Sequence, residues 1–351
     1  MKTRSIWLML LPAVFLGACS KGDNDATSTS VDTTTTSSSS SADSSISDLM
    51  QYATGSTYTV STPMGTHYAN KHETTTDDIE WLNDPDNEPS VPASVSGLVL
   101  KSFSVTLYPF GTPSPADVNQ HAIGDCDLLA PLASLAYIYP SFVKKLITDN
   151  GDGTYTVAMY DPQGNAITVV VSSKFLASTD GSLEAGSGKN SVANWVTVLE
   201  KAVMKYNMIY EVDTDIGGIG SEFVAPLFTG NGNSFAFSPG TLSTLDLQRA
   251  VDVSLAKGFL VIGGFNKVFS VGNYSTVTGH GYTLMYSTDN TALFAMRNPW
   301  GTMPGSSDGS EDGVLPIPDD DVMAATIDLR IIYSGAAGST GTTTPYRPPS
   351  F

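Results

Sequence analysis

Four residues have the types and order that nucleophilic chemistry needs. Cys126 ends the loop Asn119-Gln120-His121-Ala122-Ile123-Gly124-Asp125 and opens the run DLLAPLASLAYIYP. Leu128, Leu129, Leu132, Leu135 and Ala136 recur there at helical spacing, which predicts a largely buried helix starting at or near the cysteine. A thiol at a helix N-terminus lies at the positive end of the helix dipole, which favours thiolate. A nucleophilic cysteine needs a base and a group that orients the base. The sequence has four histidines: His67 and His72 in a polar N-terminal stretch, His121 in the cysteine's own loop, and His280 in VTGHGYTLMY. His280 begins an alternating, strand-like run, and a second strand-like run, LFAMRNPWG, ends in Asn298-Pro299-Trp300-Gly301. His280 lies 154 residues after Cys126, and Asn298 lies 18 after His280. Taken singly, each has a plain structural reading: a small buried hydrophobe for Cys126, a hydrogen-bonded core histidine for His280, a turn signal for Asn298-Pro299, a surface residue for Gln120. Their joint order and spacing favour chemistry.

These residues must be held by a sizeable fold. The chain has 351 residues, 41% hydrophobic and 9% aromatic, enough for one large domain or two small ones. Seventeen basic against 35 acidic residues give a net charge of -18, and no basic cluster offsets it, which excludes nucleic acid as a partner. Two cysteines and four histidines, without a Cys-rich run, exclude a structural zinc site.

The N-terminus reads as an address. Lys2 and Arg4 precede an apolar run, Ile6 to Leu16, too short to span a bilayer, which closes in Leu16-Gly17-Ala18-Cys19. This resembles a bacterial lipoprotein signal covering residues 1–18, in which Cys19 becomes the lipidated first residue of the mature chain. Ser20 after the cysteine implies the outer membrane in Gram-negative sorting. Residues 27–47 hold 16 Ser or Thr, so residues 19–50 are read as a flexible tether. With Cys19 lipidated, Cys126 is the single remaining thiol and has no internal disulfide partner. Residues 51–100 are polar, with the acidic patch DDIEWLNDPDNEP, and are read as an accessory strand set or a pro-segment. Residues 101–335 form the core, and residues 336–351 a loose tail.

Several pieces in order resemble the calpain-type, papain-like cysteine peptidases. They are Gln120…Gly124-Asp125-Cys126, the hairpin-like stretch 150–171, Asn194-Trp195…Leu199-Glu200-Lys201-Ala202, Gly218…Pro226-Leu227-Phe228-Thr229-Gly230, His280-Gly281-Tyr282 and Arg297-Asn298-Pro299-Trp300-Gly301. The Cys, His, Asn order and separation also agree with papain-like enzymes. The resemblance implies an α+β fold of two subdomains: a helical half carrying Cys126, and a β-rich half, from about residue 235, carrying His280 and Asn298, with the active-site cleft between. It implies a cysteine endopeptidase in which Cys126 is the nucleophile, His280 the base, Asn298 its orienting group, Gln120 an oxyanion donor and Trp300 a cover for the His–Asn hydrogen bond. Substrates would be protein or peptide segments. A thiol amidase or acyl-transferase on the same groups, and a binding protein that keeps the fold, are the alternatives.

The chain departs from the family pattern in ways that matter. Asp127 stands where an aromatic usually follows the nucleophile, and its carboxylate opposes thiolate charge. Gly281 replaces Ala in the His-Ala-Tyr motif, His121 replaces the Gly after the glutamine, and Pro131 predicts a slight helix kink. Family members that use calcium bind it in two acidic loops. Asp117 matches one ligand position, but Ala193 and Pro304 stand where acidic residues are expected. DNGDGTY (149–155) lacks an EF-hand's closing Glu and reads as a hairpin turn, and Asp319-Asp320-Asp321 as a solvated turn. No cofactor is expected to be required.

Overall fold

The computed structural model describes residues 58–61 and 72–333, apart from 213–215, 217–218, 231–232, 269, 272–273, 289–291, 304–311, 318–323 and 325–326. The signal, Cys19, the tether, His67, the Asp319–Asp321 run and the tail lie outside these residues.

In the first half, the chain forms β1 (Tyr58–Ser61), α1 (Thr76–Asn83) and β2 (Val99–Ser102), then α2 (Cys126–Ile138) and α3 (Pro140–Leu146). Helix α2 begins at the predicted residue. Eleven of its 13 residues are buried, so it is apolar on all sides rather than amphipathic. It continues through Pro131, and the sharp turn of 118° comes after it, between α2 and α3. Among the described residues no single helix is long and apolar enough to cross a membrane. Strands β3 (Ile147–Asp149), β4 (Thr154–Tyr160) and β5 (Ala166–Ser172) form a three-stranded antiparallel sheet, with β6 (Lys174–Ala177) paired to β2. The DNGDGTY stretch is the β3–β4 turn, with Gly151 and Gly153 both at positive φ. Helix α4 (Trp195–Tyr210) starts at Asn194, whose side chain caps the Val196 N–H, and α5 (Ser221–Thr229) ends at Gly230 in the left-handed conformation.

The second half supplies β7 (Asn233–Phe237), α6 (Thr244–Ala256), β8 (Leu260–Phe265), the short β9 (Ser270–Val271) and β10 (Tyr274–Ser275), then β11 (Tyr282–Tyr286), β12 (Phe294–Arg297), β13 (Val314–Pro316) and β14 (Ile327–Tyr333). Six of these join β1 in a seven-stranded antiparallel sheet of order β1-β7-β14-β8-β11-β12-β13. Helix α2 packs on β8 and β11 of this sheet, and Thr283 Oγ1 on β11 donates to the α2 carbonyl of Ala130 at 2.7 Å. The architecture is α+β with a helical and a β-rich half meeting at α2.

Residues 72–100 are built into the fold. Strand β1 pairs with β7, and α1 packs on β5 and α4. Two buried lysines of α4 hold this segment. The Lys205 ammonium donates to the carbonyls of Leu82, Asp84 and Val170 at 2.7–3.0 Å and stacks over the Trp81 ring. It thus lies at the carbonyl end of α1, where a helix favours a cation. Burial first, then the charge of Lys201, lowers its pKa to about 8. Lys201 pairs with Glu88 at 2.6 Å. Replacing Lys205 by Met leaves three carbonyls without their donor, and hydrogen bonds to a charged donor are the stronger kind. The Lys205→Met protein is expected to lose about 2–3 kcal/mol of stability, read as a lower urea midpoint at unchanged m-value.

Candidate active site

Local pairing brings His280 and Asn298 together. Strands β11 and β12 are antiparallel neighbours, with Thr283 opposite Arg297. His280 lies two residues before one strand and Asn298 immediately follows the other, so both fall at the same end of the pair. His280 Nε2 lies 2.7 Å from Asn298 Oδ1, and the Trp300 N–H donates to the same oxygen at 3.0 Å. A backbone N–H can only donate, so the atom it meets is the amide oxygen. The His280 nitrogen facing that oxygen must therefore carry the hydrogen. This fixes the tautomer and leaves Nδ1 with the lone pair. Asn298 is fully buried, and the Trp300 ring lies 4.5 Å from the imidazole, covering the hydrogen bond. Tyr282 meets the imidazole edge-on at 4.9 Å. Burial lowers the His280 pKa to about 4 against the opposing pull of Asn298, so the ring is neutral at pH 7, the state of a base.

The packing of α2 against β11 delivers Cys126 to the same place. The N–H of Gly281, next to His280, points at the Cys126 sulfur at 3.3 Å. Cys126 is buried at the first position of α2.

Gln120 is buried on the loop before α2, its backbone N–H donating to Pro299 O at 2.7 Å. One side-chain N–H is fixed on Ile123 O at 2.7 Å, and an amide has a second to give. The buried Arg297 guanidinium braces this loop from the β12 side, donating to Val118 O at 2.6 Å. Gly301 completes the Asn-Pro-Trp-Gly turn at φ 72°, where a Cβ would collide with the Asn119 side-chain oxygen.

Two departures from the family pattern explain each other. Asp127 accepts from Ser221 Oγ at 2.8 Å, and a Cβ at position 281 would lie 3.0 Å from Asp127 Oδ1. A glycine at 281 leaves room for the carboxylate at 127. Asp127, Ser221, Phe265, Thr278, His280 and Arg330 line part of a cavity of about 520 Å³ that opens beside the imidazole. Arg330 is paired with Glu222.

The other histidines lie elsewhere in hydrogen-bond terms: His121 meets Ser187 Oγ at 2.7 Å and His72 meets Asp78 at 2.7 Å. One Asp117 carboxylate oxygen accepts from Trp195 Nε1 at 2.9 Å and Ser114 N–H at 2.8 Å, the other is buried without a hydrogen-bond partner, and Ala193 contributes no carboxylate. A hard cation needs six or more oxygens, and among the described residues no three His, Cys, Asp or Glu side chains cluster suitably for a metal. Sequence reasoning assigned no role to the Gly281 N–H, the Arg297 brace or Ser221. It quoted Asp125 and Glu200 only as motif letters, although an acidic residue inside an apolar stretch is itself a signal.

The sequence model of the calpain family cysteine proteases matches residues 43–312, more than half of the chain. The chain belongs to that family, a class of cysteine proteases whose fold and residue order agree with the site just described. It is 27% identical over 216 residues to the calpain-type cysteine protease DEK1 of Zea mays, a match covering 58% of this chain and 10% of that protein. It is 30% identical over 220 residues to the calpain-1 catalytic subunit of Sus scrofa, covering 57% of this chain and 30% of the relative. The calpain-1 catalytic subunit of Bos taurus is 29% identical over 220 residues, with 57% and 30% covered. The chain therefore spans a tenth to three tenths of the length of these relatives.

Gly301→Ala places a Cβ at a left-handed position and against Asn119. The expected result is a loss of at least about 1 kcal/mol from the backbone conformation alone, read as a lower thermal midpoint, with a matching loss of activity because the same turn carries Asn298 and Trp300.

Proposed function

We propose that this chain is a cysteine endopeptidase that cleaves peptide bonds through Cys126, His280 and Asn298. The observation that carries the reading is the tautomer-fixing hydrogen bond from His280 to Asn298, on a residue whose neighbour Gly281 touches the Cys126 sulfur. In the reduced protein the thiol proton passes to His280 Nδ1 and the thiolate attacks the peptide carbonyl carbon. The resulting oxyanion accepts hydrogen bonds from the Cys126 N–H and the second Gln120 side-chain N–H. Collapse breaks the C–N bond, and the amine leaves with the Nδ1 proton. Water then adds to the thioester with His280 as base, releasing the acid and restoring the thiol. Asn298 holds the ring, and Trp300 keeps water from that hydrogen bond, which strengthens it.

Asp127, Ser221 and Arg330 give the adjoining cavity a polar wall, which suits extended peptide segments with polar side chains. We further propose that catalysis needs no calcium, since Ala193 and Pro304 offer no carboxylate and no acidic cluster suited to a metal forms among the described residues. The signal-like residues 1–19 and the Ser/Thr-rich stretch after them support a lipid anchor at Cys19 and an envelope location, at the outer membrane.

The test is cleavage of casein and a fluorogenic peptide, with and without dithiothreitol and chelator. Cleavage is expected with dithiothreitol present, unchanged by chelator, absent in Cys126→Ala, and reduced about 10²–10³-fold in Gln120→Ala. A reduced wild type that cleaves neither substrate, or a Cys126→Ala protein that still cleaves, overturns the reading.

A further inference from the structure

The cavity beside the imidazole has a chemistry that the Cys–His–Asn mechanism does not use. Its helical side is made by the starts of two helices. Asp127 is the second residue of α2, and Ser221, the first of α5, donates its hydroxyl to Asp127 Oδ1 at 2.8 Å. Its sheet side is made by Ile262 and Phe265 of β8 and by Arg330 of β14, which stands opposite Ile262 in the register of the two strands. His280 and Gly281 line it at the end next to the nucleophile, where the Gly281 N–H meets the Cys126 sulfur at 3.3 Å. The cavity therefore offers a carboxylate from one side and an apolar surface from the other, and the carboxylate belongs to the residue that follows Cys126.

The balance of charge on these walls is negative. Arg330 is paired with Glu222 of α5, so that cation is matched by a carboxylate. The Ser221 hydroxyl hydrogen-bonds the Asp127 carboxylate without cancelling its charge. A Cβ at position 281 would lie 3.0 Å from Asp127 Oδ1, so the glycine keeps the approach to that oxygen open. At about 520 Å³ the cavity is of the size that holds one small ligand. A side chain with an apolar stem and a cationic tip uses both surfaces, as lysine and arginine do when they lay their methylenes along apolar residues. Leucine uses only the Ile262–Phe265 surface, and glutamate brings a like charge toward Asp127, which costs energy.

We propose that Asp127 is a specificity-determining residue that draws a substrate lysine or arginine into this cavity, with the stem on Ile262 and Phe265 and the cation on the carboxylate. One extended residue spans about 3.3–3.6 Å, so the basic residue lies within about two positions of the scissile bond. The inference rests on the peptidase reading of Cys126 and names the substrate class of that site: peptides with a basic residue beside the cut.

The test uses internally quenched peptides with a single scissile bond, in which lysine, norleucine or glutamate is placed in turn at the two positions on each side. Norleucine has the lysine stem without the charge. Two quantities are read with dithiothreitol present: kcat/KM of the wild-type full chain, and Kd of the Cys126→Ala protein for the same peptides, which needs no turnover. At one of these positions lysine is expected to raise kcat/KM about tenfold over norleucine and to tighten binding by a similar factor, with glutamate the weakest. In Asp127→Asn the amide oxygen can still accept from Ser221, and the lysine-to-norleucine ratio is expected to fall to about one. Taking the ratio within one protein cancels any change in thiol reactivity that the substitution brings. The wild-type ratio is also expected to shrink as salt rises from about 0.05 to 0.5 M; this serves as the second measurement if circular dichroism shows that Asp127→Asn does not fold. Cleavage with no lysine preference at any position, a preference that folded Asp127→Asn retains, or one that salt does not reduce overturns the inference and leaves the peptidase reading standing. Lysine-selective binding by Cys126→Ala, with no cleavage of any peptide by the wild type, overturns the peptidase reading and leaves the cavity's preference standing. Neither binding nor cleavage overturns both.

Discussion

The site depends on the packing of one all-apolar helix against two strands. Helix α2 presents buried residues on every side, and the face toward β8 and β11 sets where its first residue lies. Because Cys126 is that first residue, and because His280 and Gly281 lead into β11, the contact that buries the helix also sets the sulfur against the Gly281 N–H, next to His280. The Thr283 hydroxyl on the Ala130 carbonyl ties the strand to the helix one turn further along. The β11–β12 pairing then adds Asn298 and Trp300 at no extra ordering cost, since sheet register alone brings them alongside His280.

The residues that matter chemically were legible in the sequence because each carries a local signal. The cysteine precedes a helical apolar run, the histidine an alternating one, and the asparagine a Pro-Trp-Gly turn. The strands that carry them were legible for the same reason: YTLMY and LFAMRN match β11 and β12. What local patterns do not carry is long-range pairing. Lys205 grips two carbonyls more than 120 positions earlier. Nothing near Asp127 marks Ser221 as its partner.

The site's electrostatics follow from dryness. His280, Glu200 and Arg297 are all buried, and in each the largest influence on its proton affinity is that burial. Burial pushes the imidazole and the guanidinium toward neutrality by lowering their pKa, and the carboxyl toward neutrality by raising it. At neutral pH the imidazole is uncharged while Arg297, at about 10, keeps its charge.

The lysine grip on α1 has a consequence for how the enzyme is switched on. Many secreted hydrolases are kept idle by a leading stretch that is cut away at the right moment. Here, cutting away residues 72–100 would strip the partners from two ammonium groups in the interior and uncover the apolar face on which α1 rests. Residues 72–100 are a keystone of the vault and not a cork in its door.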